Sequence, residues 1–202
     1  MKAILCKEYG PAEKLVIEEV PSPEVKGRGV KVRVKAAGLN FPDTLIIENK
    51  YQLKPSLPFS PGGEMAGEVI EVGDKVTRFK VGDRVAGLTG YGAFAEEVIV
   101  PEQNLLPVPD GMSDEKAAAF TMVYGTSYYA LKQRGNLQPG ESLLVLGASG
   151  GVGLATVELG KAMGAKVIAA ASSAEKLAVA KEAGADELIN YAEEPLKDAV
   201  KK

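Results

Sequence analysis

The chain has 202 residues, 46% of them hydrophobic, with 24 lysines and arginines against 27 aspartates and glutamates and a formal net charge of -3. That length and apolar content suffice for one large or two small globular domains, and the interleaved charges form no basic stripe, which argues against a nucleic-acid partner. Cys6 is the only cysteine and there is no histidine, so an internal disulfide and the usual zinc and copper ligand sets are excluded.

The opening MKAILCKEYG has too short an apolar run for a signal peptide. From there to about residue 110 the chain alternates short apolar stretches, KLVIEEV, GVKVRVKAAG, GEVIEVG and FAEEVIV, with Gly, Pro and Asp turns. This texture predicts a closed or folded β domain with few helices. VGDKV at Val72 and VGDRV at Val81 repeat after nine residues, but Gly-Asp favours turns, so they read as two bends and not as a tandem repeat. After Pro109 the pattern becomes helical, and Ser113-x-x-Lys116 opens an alanine-rich segment that runs through AAAFTMVYGTSYYAL. Its long apolar window, Ala117 to Leu131, is interrupted by Thr121, Gly125, Thr126 and Ser127, so no membrane span is expected and the protein is expected to be soluble and cytoplasmic. Strands and helices then alternate: LLVLG, VGLATVELGKAMG, AKVIAAA, SAEKLAVAKEAGA and DELIN read as β-α-β-α-β, with parallel strands and right-handed crossovers. Pro195 fits the first turn of a last helix, with Glu193 and Glu194 at its start and Lys201 and Lys202 at its end.

Four glycines, Gly147, Gly150, Gly151 and Gly153, fall within seven residues between the first of these strands and its helix. A turn without side chains lets backbone N–H groups and the helix N-terminus approach a pyrophosphate, so Gly147, Ala148, Ser149, Gly150, Gly151, Val152 and Gly153 form a candidate dinucleotide site. The spacing is G-x-x-G-G-x-G and departs from G-x-G-x-x-G; the competing reading is a turn that only lets the helix pack closely on the strand. At the end of the second strand, where an NAD site usually places Asp or Glu, the chain has Ala170, Ala171, Ser172 and Ser173, followed by Lys176. Without a carboxylate to repel a 2′-phosphate, NADPH is the expected cofactor. Ser172 and Glu175 also fit a helix capping box, and Lys176 a solvated surface lysine.

These stretches, with AAGLNFPD at Ala36, PGGEMAGEVIEVG at Pro61, GAFAEE at Gly92, YGTSYYAL at Tyr124 and GADELINY at Gly184, resemble the medium-chain dehydrogenase/reductase superfamily, and within it the zinc-free quinone oxidoreductase branch. The resemblance implies an α/β protein in which a GroES-like β domain, residues 1–123, is followed by the first half of a Rossmann fold, residues 124–202. It implies hydride transfer from NADPH to a small-molecule quinone or conjugated enone. In zinc-dependent members the position of Asn40 is a cysteine and that of Gly63 a histidine, so no metal site is expected, and Glu64 reads as structural. The resemblance further places Asn40, Asp43 and Thr126 near the nicotinamide, Tyr51 at the substrate pocket, and Lys176 and Tyr191 near the 2′-phosphate. Members often carry a tyrosine two residues after the aspartate, where this chain has Leu45. A homodimer is the expected assembly. The family's remaining Rossmann strands have no counterpart in these 202 residues, so the expectation is a piece or truncated product of a longer enzyme, with a non-catalytic nucleotide half-site or scaffold as the competing reading.

Overall fold

The computed structural model describes residues 1–201, in two compact units, Met1–Met122 and a second that starts at Val123. Lys202, expected at the end of the last helix, lies outside the described residues.

In the first unit β1 (Lys2–Leu5) pairs antiparallel with β2 (Val16–Glu19). The strands β3 (Gly29–Gly38), β4 (Glu64–Val72), β5 (Arg84–Leu88), β6 (Glu97–Pro101) and β7 (Leu105–Pro107) form an antiparallel sheet in the order β6-β3-β4-β5-β7. Alternation sets its inner face: Val30, Val32, Met65, Val69, Val85, Val100 and Leu105 are fully buried around one core. Register shifts between Lys31 and Val32 and between Val34 and Ala36 bend β3 against β4, as bulges do. Both Gly-Asp sequences sit at turns, and Gly82, at φ 92°, takes a conformation that L side chains rarely adopt. The loop between those turns is pinned by Glu102, which accepts from the Arg28 guanidinium at 2.7 Å and from the N–H groups of Thr77 and Arg78 at 2.9 and 3.1 Å. These donors, the Thr77 N–H foremost, hold its carboxyl below the usual range.

Two features depart from the sequence expectations. A helix, α1 (Phe41–Ile47), stands within the β-rich half, where helix signals are scarce. Its start is local: Asn40 is the N-cap, proline occupies the first turn, and Asp43 Oδ2 accepts the Asn40 N–H at 2.8 Å. The alanine-rich segment, in turn, is not one helix. It divides into α2 (Asp114–Ala118), α3 (Thr121–Tyr128) and a π-helical turn, Tyr129–Arg134, with Ala119 leaving helical geometry at φ -103° and ψ 9°. The break has a tertiary cause, because Glu64 Oε1 accepts the Met122 N–H at 2.7 Å and so caps α3 from 58 residues away.

The second unit contains β8 (Ser142–Leu146), α4 (Gly151–Ala162), β9 (Lys166–Ala171), α5 (Ala174–Glu182), β10 (Glu187–Asn190) and α6 (Leu196–Ala199). The three strands are parallel in the order β10-β9-β8, the 3-2-1 order of the first half of a Rossmann sheet. Val145, Ala148, Val157, Val167, Ala169 and Ala180 make its core. Among the described residues β8 pairs with β9 alone, and its Leu144 and Leu146 are exposed. Pro195 is the N-cap of α6, just before its first turn. Among the described residues no helix is long and apolar enough to cross a membrane.

Candidate functional site

The glycines of the β8–α4 turn divide by what the fold demands of them. Gly147 has φ 61°, and a methyl group on Gly153 would lie 2.3 Å from the Gly147 carbonyl oxygen, so both are required by the turn itself. Gly150 and Gly151 are not. Gly150 has extended geometry at φ -80° and ψ 166°, and a methyl group there would meet nothing nearer than the Gly147 oxygen at 3.5 Å. On Gly151 a methyl group would lie 3.2 Å from Val123 Cγ1, a contact that a small shift relieves. Gly150 is also the N-cap of α4 and offers no side chain to the first-turn N–H groups, which an α-helix leaves without intrahelical partners. The turn therefore sets the first-turn N–H groups at the positive end of a twelve-residue helix, with Gly147, Gly150, Gly151 and Val152 exposed and Gly153 buried behind them. Ala148 plays another part: it is buried, and its N–H bonds to the Ala170 carbonyl at 3.2 Å, which ties the turn to β9. Ser149 is half-buried between them, and Val152 is exposed on the first turn of α4.

At the carboxyl end of β9 the chain brings Ser172, Ser173 and Lys176 together. Lys176 Nζ lies 3.0 Å from Ser172 Oγ, and Ser173 Oγ accepts the Lys176 N–H at 3.3 Å. The helix cap is therefore Ser173 and not Ser172, which leaves the Ser172 hydroxyl facing the ammonium. Tyr191 follows β10, is 42% exposed, and bonds through its N–H to the Ala171 carbonyl at 3.2 Å, so its ring starts from the same end of the parallel sheet. The Gly-rich turn, this cluster and Tyr191 all lie at the carboxyl ends of β8, β9 and β10, where open α/β sheets bind ligands.

The remaining candidates divide between the units. In the first, Asn40, Asp43 and Tyr51 accompany Glu64. Asn40 Nδ2 donates to Glu64 Oε2 at 3.1 Å, and Glu64 is 1% exposed. Burial raises the Glu64 carboxyl above its usual range against the N–H groups and the amide that it accepts, and burial likewise raises Asp43, which accepts backbone N–H groups from Asn40, Gly63 and Gly62. Asp43 and Tyr51 line one cavity of about 220 Å³ with Gly63, Gly90 and Met122. Among the described residues no group of three His, Cys, Asp or Glu side chains is placed to hold a metal ion.

In the second unit Thr126 is exposed on α3. Its neighbour Ser127, which sequence reasoning passed over, is buried: its hydroxyl lies 2.8 Å from the Val123 carbonyl and 3.1 Å from that of Val152, and it receives the Thr156 hydroxyl at 3.0 Å. α3 thereby supports the first turn of α4, and a serine in a small-residue helix carries no sequence signal of that role.

Residues 26–110 match the family described as Alcohol dehydrogenase GroES-like domain, and residues 151–202 the family described as Zinc-binding dehydrogenase, although the latter stretch has neither cysteine nor histidine. A quinone oxidoreductase-like protein 2 homolog of Nematostella vectensis is 47% identical over 203 residues, which cover 99% of this chain and 55% of that protein. A quinone oxidoreductase structure from Pseudomonas syringae pv. tomato superposes with TM-score 0.92 at 44% identity, over 98% of this chain and 61% of the other. The Escherichia coli quinone oxidoreductase complexed with NADPH superposes with TM-score 0.91 at 35% identity, over all of this chain and 62% of the other. The chain thus spans between about half and two thirds of the length of these relatives, and its two units are a GroES-like β domain and the first half of a Rossmann fold.

Proposed function

Because the chain belongs to the medium-chain dehydrogenase/reductase superfamily, in its quinone oxidoreductase-like branch, we propose that it works as a zinc-free, NADPH-dependent reductase of quinones or conjugated enones. The observation that carries the cofactor reading is the pairing of a Gly-rich turn, whose Gly150 the fold does not require, with Ser172 and Lys176 at the end of β9. The first-turn N–H groups of Gly151, Val152 and Gly153 would hold the pyrophosphate, and Ser172, Ser173, Lys176 and Tyr191 the 2′-phosphate side. When bound, NADPH supplies a hydride from its nicotinamide. Asn40, Asp43, Tyr51 and Thr126 are proposed to place the acceptor and the ring, so that catalysis rests on proximity and exclusion of water more than on acid–base chemistry. Asn40 and Gly63 stand where the zinc-dependent members have ligands. Metal analysis of dialysed protein is expected to find less than about 0.1 zinc per chain; one zinc per chain would overturn that part of the reading.

The cofactor choice is tested by kcat/KM with NADPH and NADH and a simple quinone, and NADPH is expected to be preferred. Lys176→Ala should weaken NADPH binding by about 1–3 kcal/mol, as for a hydrogen bond to a charged group, and should leave NADH binding nearly unchanged. Equal loss for both cofactors would show that the lysine does not read the phosphate.

A further inference from the structure

Gly63 is a glycine that its backbone does not need. Gly62 beside it has φ 95°, and a methyl group there would lie 2.6 Å from Phe94 Cδ1 and 2.7 Å from the Phe94 nitrogen, so only glycine fits. Gly63 has no positive φ, and a methyl group on it would make ordinary contacts: 3.5 Å to Met122 Cε, 3.6 Å to Asp43 Oδ1 and 3.6 Å to the Gly90 oxygen. Its backbone is fixed on both sides, for its N–H donates to Asp43 and its carbonyl accepts from Thr89 at 3.0 Å. What the missing side chain leaves is space, since those three neighbours also line the 220 Å³ cavity formed with Ile46, Tyr51 and Leu53.

We propose that Gly63 determines acceptor size: its bare Cα is part of the wall of a pocket that takes one or two fused rings of the hydride acceptor, and any side chain there would occupy the acceptor's place. The inference rests on the reductase reading above and adds the residue and the size class. The volume is below the roughly 300–1,000 Å³ of pockets that enclose drug-sized ligands, which points to a small occupant. The wall suits a flat carbonyl compound. Ile46, Leu53 and Met122 present apolar surface, and Met122 can adapt its thioether to a ring face or edge. Asp43, Gln52 and Tyr51 bring the polar atoms. Asp43 Oδ2 is already engaged by the Asn40 N–H at 2.8 Å, so the carboxylate is fixed and does not swing into the cavity.

The test compares p-benzoquinone with 1,4-naphthoquinone as acceptors for NADPH in the wild-type protein, Gly63→Ala and Gly63→Val, alongside methyl NMR of methionine-labelled protein titrated with naphthoquinone. The ratio of kcat/KM for naphthoquinone to that for benzoquinone is expected to fall at least tenfold in Gly63→Val and about two- to threefold in Gly63→Ala. The Met122 methyl resonance is expected to shift on saturation in wild type and Gly63→Ala, and not in Gly63→Val. Gly63→Ala introduces only ordinary contacts and keeps the question open to measurement if the valine variant does not fold. An unchanged ratio in a folded valine variant, or naphthoquinone saturation that leaves Met122 still, would overturn the proposal while the reductase reading stands. A wild-type protein that reduces neither quinone overturns the reductase reading, and a Met122 shift on adding naphthoquinone then still supports the cavity as a ring site.

Discussion

Replacing Gly150 by aspartate is expected to cost about 100-fold or more in NADPH affinity while the protein melts no lower than wild type. The two effects have one origin. At φ -80° and ψ 166° Gly150 already has the extended geometry of an N-cap, and the nearest atom to an added Cβ, the Gly147 oxygen, would be 3.5 Å away, so aspartate enters without strain. Its carboxylate would then accept from the N–H groups of both Val152 and Gly153 and cap α4, a gain of a few tenths of a kcal/mol over glycine. Those are the donors that the pyrophosphate is proposed to use. Losing two charge-assisted hydrogen bonds of about 1.5 kcal/mol each amounts to about 3 kcal/mol, or roughly 100-fold, before the repulsion between carboxylate and phosphate is added. Calorimetric titration with NADPH and a thermal melt on the same preparation check both halves. Affinity within threefold of wild type would mean that the dinucleotide does not lie on this helix. Gly150→Ala separates the causes, because it adds the Cβ without the charge and should weaken binding much less.

What the sequence makes legible is whatever is encoded by near neighbours. The β-α-β-α-β alternation follows from apolar periodicity and from glycines placed at strand and helix ends, and it is seen in the parallel order β10-β9-β8. The helix α1 was within reach of the same rules. Asn40, Pro42 and Asp43 spell a helix start, but a β-rich surrounding outweighed them. The cap at Ser173, read one residue early, is an ambiguity that two adjacent serines and the glutamate at 175 cannot resolve without backbone angles. The division of the alanine-rich segment was out of reach for a different reason. Its cause is a carboxylate 58 residues earlier, and no local propensity distinguishes Ala119 from the helical alanines before it. Gly63 belongs to the same class, because a glycine that preserves empty space looks in sequence like one that serves a turn.

Removal of the Glu64 side chain is the change expected to damage the first unit most. The carboxylate is 1% exposed, and its two oxygens accept from the Met122 N–H at 2.7 Å and from Asn40 Nδ2 at 3.1 Å. Glu64→Ala takes the acceptor away from two half-buried donors, at up to about 1–3 kcal/mol each, and opens a cavity; the relief of no longer burying a carboxylate offsets part of this. A net loss of about 3 kcal/mol corresponds to a melting temperature lower by roughly 6–12 °C in a protein of this size. Glu64→Gln separates shape from charge. An amide keeps one oxygen for the Met122 N–H, so α3 keeps its cap, but the amide nitrogen cannot accept from Asn40. Its destabilisation should therefore be smaller, and its pH dependence should differ in a definite direction. Burial raises the folded-state pKa of Glu64, so between the unfolded value and the raised one the folded protein holds the extra proton, and stability falls as pH rises through that window. Asp43, raised by burial as well, contributes a slope of the same sign and remains in the variant. Glu64→Gln should thus show a shallower loss of stability on going from acid to neutral pH than wild type, measured by denaturant unfolding across the carboxylate range. A variant with the wild-type slope would mean that Glu64 titrates alike in the folded and unfolded protein, its hydrogen bonds just offsetting the desolvation that burial imposes.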